Sequence, residues 1–246
     1  RLSIPWVSMT LVHGTTPEDS SESVRLPGKM VMRESCDLAI DALLADVFLH
    51  ATNCVRSFGD FHLAISASPE IEPALMRLMY DPGYREFPWQ RTRVWMVDEL
   101  DVAPDDPRRR WTRIADTILA CSGIPQDQCV GMDDSLDVGA YEQTIRGHLE
   151  WRERGHDRID CCLFATSSLS HIEAIAPADA AVRHVRLDPQ FVRAARLLGV
   201  LVTQTDEQSL ARLSKWARGS KSALAPTGGE LVWYVGMAEG GDIPLA

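Results

Sequence analysis

His171 is the residue in this chain whose type and setting best suit proton transfer. An imidazole titrates near neutral pH, so it can take or give a proton under ordinary conditions. It follows a continuous apolar run, Cys161, Cys162, Leu163, Phe164 and Ala165, which is closed by Thr166, Ser167, Ser168 and Ser170. A short apolar run ended by side chains that bond to nearby backbone predicts a strand buried on both faces, then a turn. In open α/β sheets, ligands bind at the carboxyl ends of strands. His171 stands just past such an end, where a general base is expected. The alternative is a loop histidine with no catalytic task. The neighbouring hydroxyls also allow a Ser–His pair, but there is no G-x-S-x-G elbow and no third member can be named.

The elements that would position this residue are legible along the chain. Ser35 to Ala51 predicts a helix capped by Ser35, with Leu38, Ala39, Ala42, Leu43 and Val47 at helical spacing. Lys29 to Arg33 is short and alternating, an edge strand. Phe61 to Ser66 predicts a buried strand, Glu70 to Tyr80 a helix, and Arg93 to Val97 another strand ending on Asp98 and Glu99. Helices are expected over Arg108 to Cys121, Val138 to Arg152 and Glu207 to Ala217. Strands are expected over Arg183 to Leu187, Leu197 to Thr203 and Leu231 to Val235, with a helical turn at Pro189 to Ala195. Gly228-Gly229 reads as a hairpin or loop. Strands alternating with helices predict an α/β fold with a mainly parallel sheet.

Composition narrows the function class. The chain has 246 residues and a formal net charge of −10, which argues against a nucleic-acid or anionic-membrane surface. No apolar run is expected to reach the roughly 20 residues of a membrane span. Arg1 to Ser23 has only short apolar runs and an acidic, Ser-rich end, so no signal peptide is expected. The six cysteines are scattered, with no Cys-x-x-Cys and no His pair at zinc spacing. Free thiols in a reducing compartment follow, with cytoplasm as the default. No metal and no cofactor is expected.

From about Lys29 to Val235 the order and spacing of motifs resemble the 6-phosphogluconolactonase and glucosamine-6-phosphate isomerase family. FHLAIS followed by ASPEIEP stands where the family has a strand and S-G-G-S-T-P-x-P. RVWMVDELDVAPDDPRRRW is similar to a strand ending in D-E-R, then V-P-x-D-D-P-x-S-N-Y. IDCCLFATSSLSHIEAIAP lies without a gap over F-D-L-x-L-L-G-x-G-x-D-G-H-T-A-S-L-F-P, which puts His171 on the motif histidine. RHVRLDP resembles R-I-T-L-T-x-P, and RLLGVLVTQTDE lies over the strand ending L-V-T-G-x-x-K. The resemblance implies a three-layer α/β/α fold of the sugar-phosphate isomerase type. It implies one such domain over residues 29–246, after an N-terminal extension over 1–28.

The resemblance also implies a mechanism and a site. His171 would deprotonate a water that attacks a lactone carbonyl, with Asp98 and Glu99 beside it. Ser66, Ser68 and Arg183 would contact a sugar-phosphate or sugar-lactone substrate. The departures fall on the phosphate site. Ala67 and Ser68 replace loop glycines, and Pro69 removes an N–H that could meet an anion. Leu100 stands for the motif Arg, Glu207 for the motif Lys and Leu169 for the Asp near the histidine. Ala165, Ser167 and Ser170 replace the glycines of the last motif, and Ala176 stands where the isomerase branch has a Glu. The run Arg108, Arg109, Arg110 could supply the lost cations from another direction, or be a solvated helix start. Two readings follow: a divergent lactonase, or an inactive family member kept for binding or regulation.

Overall fold

The protein is described by a computed structural model, which covers residues 26–132, 135–167, 182–217 and 224–237. His171 and its neighbours Ser168, Leu169, Ser170, Glu173 and Ala176 lie outside the described residues.

The frame is a parallel sheet of seven strands, β1 (Lys29–Arg33), β9 (Glu230–Met237), β8 (Leu197–Thr205), β6 (Cys161–Thr166), β2 (Phe61–Ile65), β3 (Thr92–Met96) and β5 (Cys129–Val130), in that spatial order. Every residue of β2 and β6 is buried. That is the burial expected of strands covered on both faces, and it explains why their sequences are continuously apolar rather than alternating.

Helices cover both faces. Alternation along β2 sends Phe61 to one side and His62 to the other. Phe61 meets Phe87, which stacks on Phe48 of α1 (Cys36–Phe58). On the opposite face, Trp95 of β3 meets Tyr141 and His148 of α4 (Val138–Leu149). Helix α1 also presses on the far side of the sheet. A Cβ on Gly199 of β8 would stand 3.1 Å from Leu43 Cδ1, so glycine permits the close approach. Tyr141 ties α4 to the strand ends: its hydroxyl donates to Val130 O at 2.7 Å and accepts from Met96 N at 2.8 Å.

Several boundaries differ from expectation. Ser35 does cap α1, accepting from Leu38 N, but the helix runs to Phe58 and stops at Gly59, whose φ of +89° suits a left-handed cap. By length and composition α1 could cross a membrane, contrary to the expectation of no such run. In this fold it lies on the sheet with Ile40, Leu43, Leu44 and Val47 buried. The helix expected from Arg108 begins at Arg110: α3 (Arg110–Ile114) continues through a π turn, Ala115–Leu119. Of the two options for Gly228-Gly229, the loop is the one observed. It leads into β9, which is parallel to its neighbours, and a Cβ on Gly229 would lie 2.0 Å from Ala195 O. The remaining helices are α2 (Glu72–Tyr80), α5 (Pro189–Arg193) and α6 (Glu207–Ala217).

One feature has no counterpart in a purely parallel reading. β4 (Asp98–Leu100) and β7 (His184–Arg186) form a separate two-stranded antiparallel ribbon at the carboxyl end of β3. Backbone bonds join Leu187 N to Val97 O and Asp101 N to Arg183 O. Asp98–Arg186 and Leu100–His184 are therefore the non-hydrogen-bonded pairs, where facing side chains come closest.

Candidate functional site

The ends of β2, β3 and β6 are joined side by side: Ser66 N donates to Leu163 O at 2.9 Å and Val97 N to Ile65 O at 3.0 Å. The next residue, Asp98, is the centre of a buried charge cluster. Its side chain is 6% exposed. Arg110 Nη1 donates to Asp98 Oδ2 and, at 2.9 Å, to Ser66 Oγ. His184 Nε2 lies 2.9 Å from Asp98 Oδ2, but out of line for a hydrogen bond. Burial pushes the Asp98 carboxyl upward. The Arg110 guanidinium, His184 and Ser66 outweigh that and hold it below its usual value, so it is ionised.

Glu99 points to the other face of the ribbon and does different work. Its side chain is fully buried. Oε1 accepts from Leu100 N at 2.8 Å and Arg110 N at 2.7 Å, and Oε2 accepts from Trp111 N at 2.8 Å. A carboxylate at a helix start satisfies N–H groups that have no intrahelical partner. Glu99 thus caps α3, and by doing so aims Arg110 at Asp98.

The three consecutive arginines have three fates. Arg108 is 60% exposed and held by Asp106 at 2.7 Å. Arg109 is buried, 3.9 Å from Glu99, in a recess with Leu100, Asp101 and Leu136. Only Arg110 reaches the cluster. Arg183 is 69% exposed and 3.5 Å from Asp101, away from Asp98.

The loop after β2 is closed on itself. Ser68 N donates to Ser66 O at 2.9 Å, and Ser68 Oγ to Ala165 O at 3.4 Å. Arg113 Nη1 donates to Ala67 O at 2.7 Å, and Arg113 Nε to Glu72 at 3.0 Å. The N–H groups of Ser66 and Ser68, which an anion-cradling loop would present, already have backbone acceptors.

Beside the cluster is a small open cleft lined by Val97, Asp98, Phe164, Arg186, Leu187 and Leu224 among others. Two buried polar atoms here lack a hydrogen-bond partner among the described residues, Asp98 Oδ1 and His184 Nε2. Among the described residues no group of three or more His, Cys, Asp or Glu could hold a metal ion.

Sequence reasoning named Asp98, Ser66 and Arg110, which the fold brings together. It missed His184, Arg186 and Arg113. The available signal was alternation: His184 and Arg186 share one face of β7, as Asp98 and Leu100 share one face of β4. What that signal lacked was the pairing of the two strands.

Comparison with known proteins agrees with this architecture. The family model described as glucosamine-6-phosphate isomerases/6-phosphogluconolactonase matches residues 34–212. The GDH/6PGL endoplasmic bifunctional protein of Oryctolagus cuniculus is 25% identical over 226 residues, covering 81% of this chain and 28% of that protein. The chain therefore corresponds to little more than a quarter of that relative's length. The 6-phosphogluconolactonase of Thermotoga maritima shares the fold with a TM-score of 0.66 at 16% identity, covering 85% of this chain and 99% of that one. The 6-phosphogluconolactonase of Trypanosoma brucei does so with a TM-score of 0.62 at 14% identity, covering 86% and 97%.

Proposed function

The chain belongs to the glucosamine-6-phosphate isomerase/6-phosphogluconolactonase family, and from that premise we propose that it is a divergent lactonase acting on a sugar lactone. The proposed base is His171. It takes a proton from water as the oxygen attacks the lactone carbonyl. The tetrahedral oxyanion then collapses, the bond from the carbonyl carbon to the ring oxygen breaks, and that oxygen takes up a proton to give the open-chain acid. Asp98 orients the sugar from below, and Arg110, with Ser66, keeps Asp98 ionised. Glu99 is a positioning residue that fixes the start of α3.

The observation that carries this reading is the Asp98 carboxylate. It is buried at the strand ends beside an open cleft, held ionised, with one oxygen unengaged among the described residues. A buried acceptor without a partner costs about 1–3 kcal/mol, and a substrate hydroxyl would satisfy it. A second reading, an inactive member kept for binding, is favoured by the loop from Ser66 to Pro69, where the Ser66 and Ser68 N–H groups already have backbone acceptors.

We further propose that residues 29–246 act as one domain preceded by an extension over 1–28, that the ligand is a small sugar derivative, and that the protein works in a reducing compartment such as the cytoplasm. All six cysteines are free, which supports the last point, although the rabbit relative is named as endoplasmic.

The test is hydrolysis of 6-phosphogluconolactone and of gluconolactone by the folded chain, against the spontaneous rate and a His171→Ala control. A clear excess on either lactone that disappears in the control is expected. Background rates on both would move the conclusion to the inactive reading.

A further inference from the structure

Four of the five large hydrophobic side chains that stand exposed among the described residues lie on two neighbouring helices: Leu38 and Leu49 on α1, Met76 and Tyr80 on α2. Arg77 ties these helices together through Asp37 and Asp41. The exposed apolar surface is thus concentrated on one face of the protein, opposite α4. Leu38 is 45% exposed and Leu49 59%. Helix α1 is apolar well beyond the side it turns to the sheet, which is why its composition would pass for a membrane span.

The buried side of α1 is Ala39, Ile40, Leu43, Leu44, Val47 and Ala51. Helical geometry directs Leu38, Ala45 and Leu49 away from that side, with Ala42 flanking them. Leu38, Ala42, Ala45 and Leu49 are spaced four, three and four residues apart, the spacing of a seam between two helices. The order is the same from either end of the stripe. Such a seam is self-complementary about a two-fold axis that crosses α1 between Ala42 and Ala45. Leu38 of each copy would then face Leu49 of the other. The two alanines let the backbones approach closely where the helices cross.

The charges favour the same arrangement. Asp37 and Asp41 are engaged by Arg77, and Asp46 accepts from the Tyr234 hydroxyl at 2.7 Å. The acids beside the stripe are therefore already held within the chain. Arg56 in the last turn of α1 and Glu34 just ahead of its start are both exposed. Antiparallel pairing brings Arg56 of one copy toward Glu34 of the other, whereas parallel pairing would set like charges together. A lipid surface suits the stripe less. Helices that lie on membranes carry Lys and Arg beside the apolar face, and here the flanks carry Asp37, Asp41 and Asp46.

We infer that α1 is a self-association surface, through which two copies of this chain pair by an antiparallel seam of Leu38, Ala42, Ala45 and Leu49. The contact is one helix wide, less than the standard interface of about 1,600 Å², so the dimer is a reversible one. It does not depend on how the cleft is read.

The test is sedimentation equilibrium of the whole chain over a wide range of concentration, with Ala45→Glu beside the parent. A reversible monomer–dimer equilibrium is expected, with the dissociation constant raised about tenfold or more in Ala45→Glu. Ala45 is exposed in the single copy, so the variant should unfold at the same temperature as the parent when both are dilute. Geometry is tested by oxidation of Ala45→Cys and Thr52→Cys, each combined with Cys121→Ser to remove an exposed thiol. Ala45→Cys should give a disulfide-linked dimer. Thr52→Cys should not, because the antiparallel seam holds the two copies of that position about 25 Å apart, beyond the reach of a disulfide. A monomer at every concentration would overturn the inference, whether or not the chain then binds vesicles. So would a dimer indifferent to Ala45→Glu, or one that crosslinks as readily through Thr52→Cys.

Discussion

The two ends of the parallel sheet each bury a cluster of charges, and the clusters differ in whether their carboxylate oxygens are all engaged. At the amino end, Asp160 accepts from Arg152 Nη1 and Nη2 at 2.9 Å each, from Arg196 Nε at 3.0 Å and from His62 N at 2.8 Å. Asp60 accepts from Arg152 Nη2, and His62 Nε2 lies 3.0 Å from its other oxygen. Trp95 Nε1 donates to His62 Nδ1 at 3.1 Å, which leaves the proton on Nε2 to meet Asp60. Both guanidinium groups lie over Phe58, at 4.9 and 4.5 Å. Every carboxylate oxygen in this network has a partner. At the carboxyl end, Asp98 Oδ1 has none among the described residues. At the amino end the orphan is Arg152 Nε, a donor enclosed by the network; at the carboxyl end it is a carboxylate oxygen at the ligand-binding edge of an α/β sheet, where a ligand can reach it.

The contrast can be broken at its strongest point first. Asp160→Asn removes a charge on which the buried Arg152 and the half-buried Arg196 depend, so it should destabilise the fold by about 3–5 kcal/mol in denaturant unfolding. Binding at the distant cleft should not change in whatever fraction remains folded. A loss under about 1 kcal/mol would mean that the amino-end network is not the structural anchor described here.

Glu99→Ala is the intermediate case, because it removes a cap rather than a network. A loss of about 1–2 kcal/mol is expected from the freed N–H groups of Arg110 and Trp111. Ligand affinity should fall with it, since Arg110 loses its aim. Unchanged affinity at reduced stability would show that Arg110 finds Asp98 without the cap.

The smallest expected effect is a pH dependence shared by both ends. Burial pushes Asp60 upward, but the bonds to His62 and Arg152 hold it below the ordinary value of 3.8; Asp98 is lowered by Arg110, His184 and Ser66 despite its burial. An acid whose folded value is depressed adds stability that is complete above the unfolded value and is lost as pH falls through the folded one. Unfolding free energy should therefore decline below about pH 4, less steeply in Asp60→Asn and Asp98→Asn than in the parent. Equal slopes in all three proteins would show that neither carboxylate is held by its partners.

The sheet was largely legible because its strands are covered on both faces, and Cys161 to Ala165 or Phe61 to Ile65 must then be apolar throughout. The cap at Ser35 was legible because it needs only a side-chain oxygen within one turn. The ribbon was not. Three residues at Asp98 and three at His184 carry too short a pattern to announce a strand pairing, and the partners are far apart in the chain. Arg108, Arg109 and Arg110 are indistinguishable as letters. Asp106 holds the first and Glu99 starts a helix at the third, and those two local facts separate them.

By itself, then, the sequence determined the alternation of strand and helix, the family motifs and their order, the replaced phosphate-loop glycines, and the candidacy of Asp98. Those are properties of a residue and its near neighbours. Only the tertiary structure decided that His184 stands beside Asp98, that Arg110 alone of its run reaches Asp98, and that the Ser66 and Ser68 N–H groups are engaged. Each of these depends on which distant strand lies next to which, and that choice is made by packing across the whole sheet.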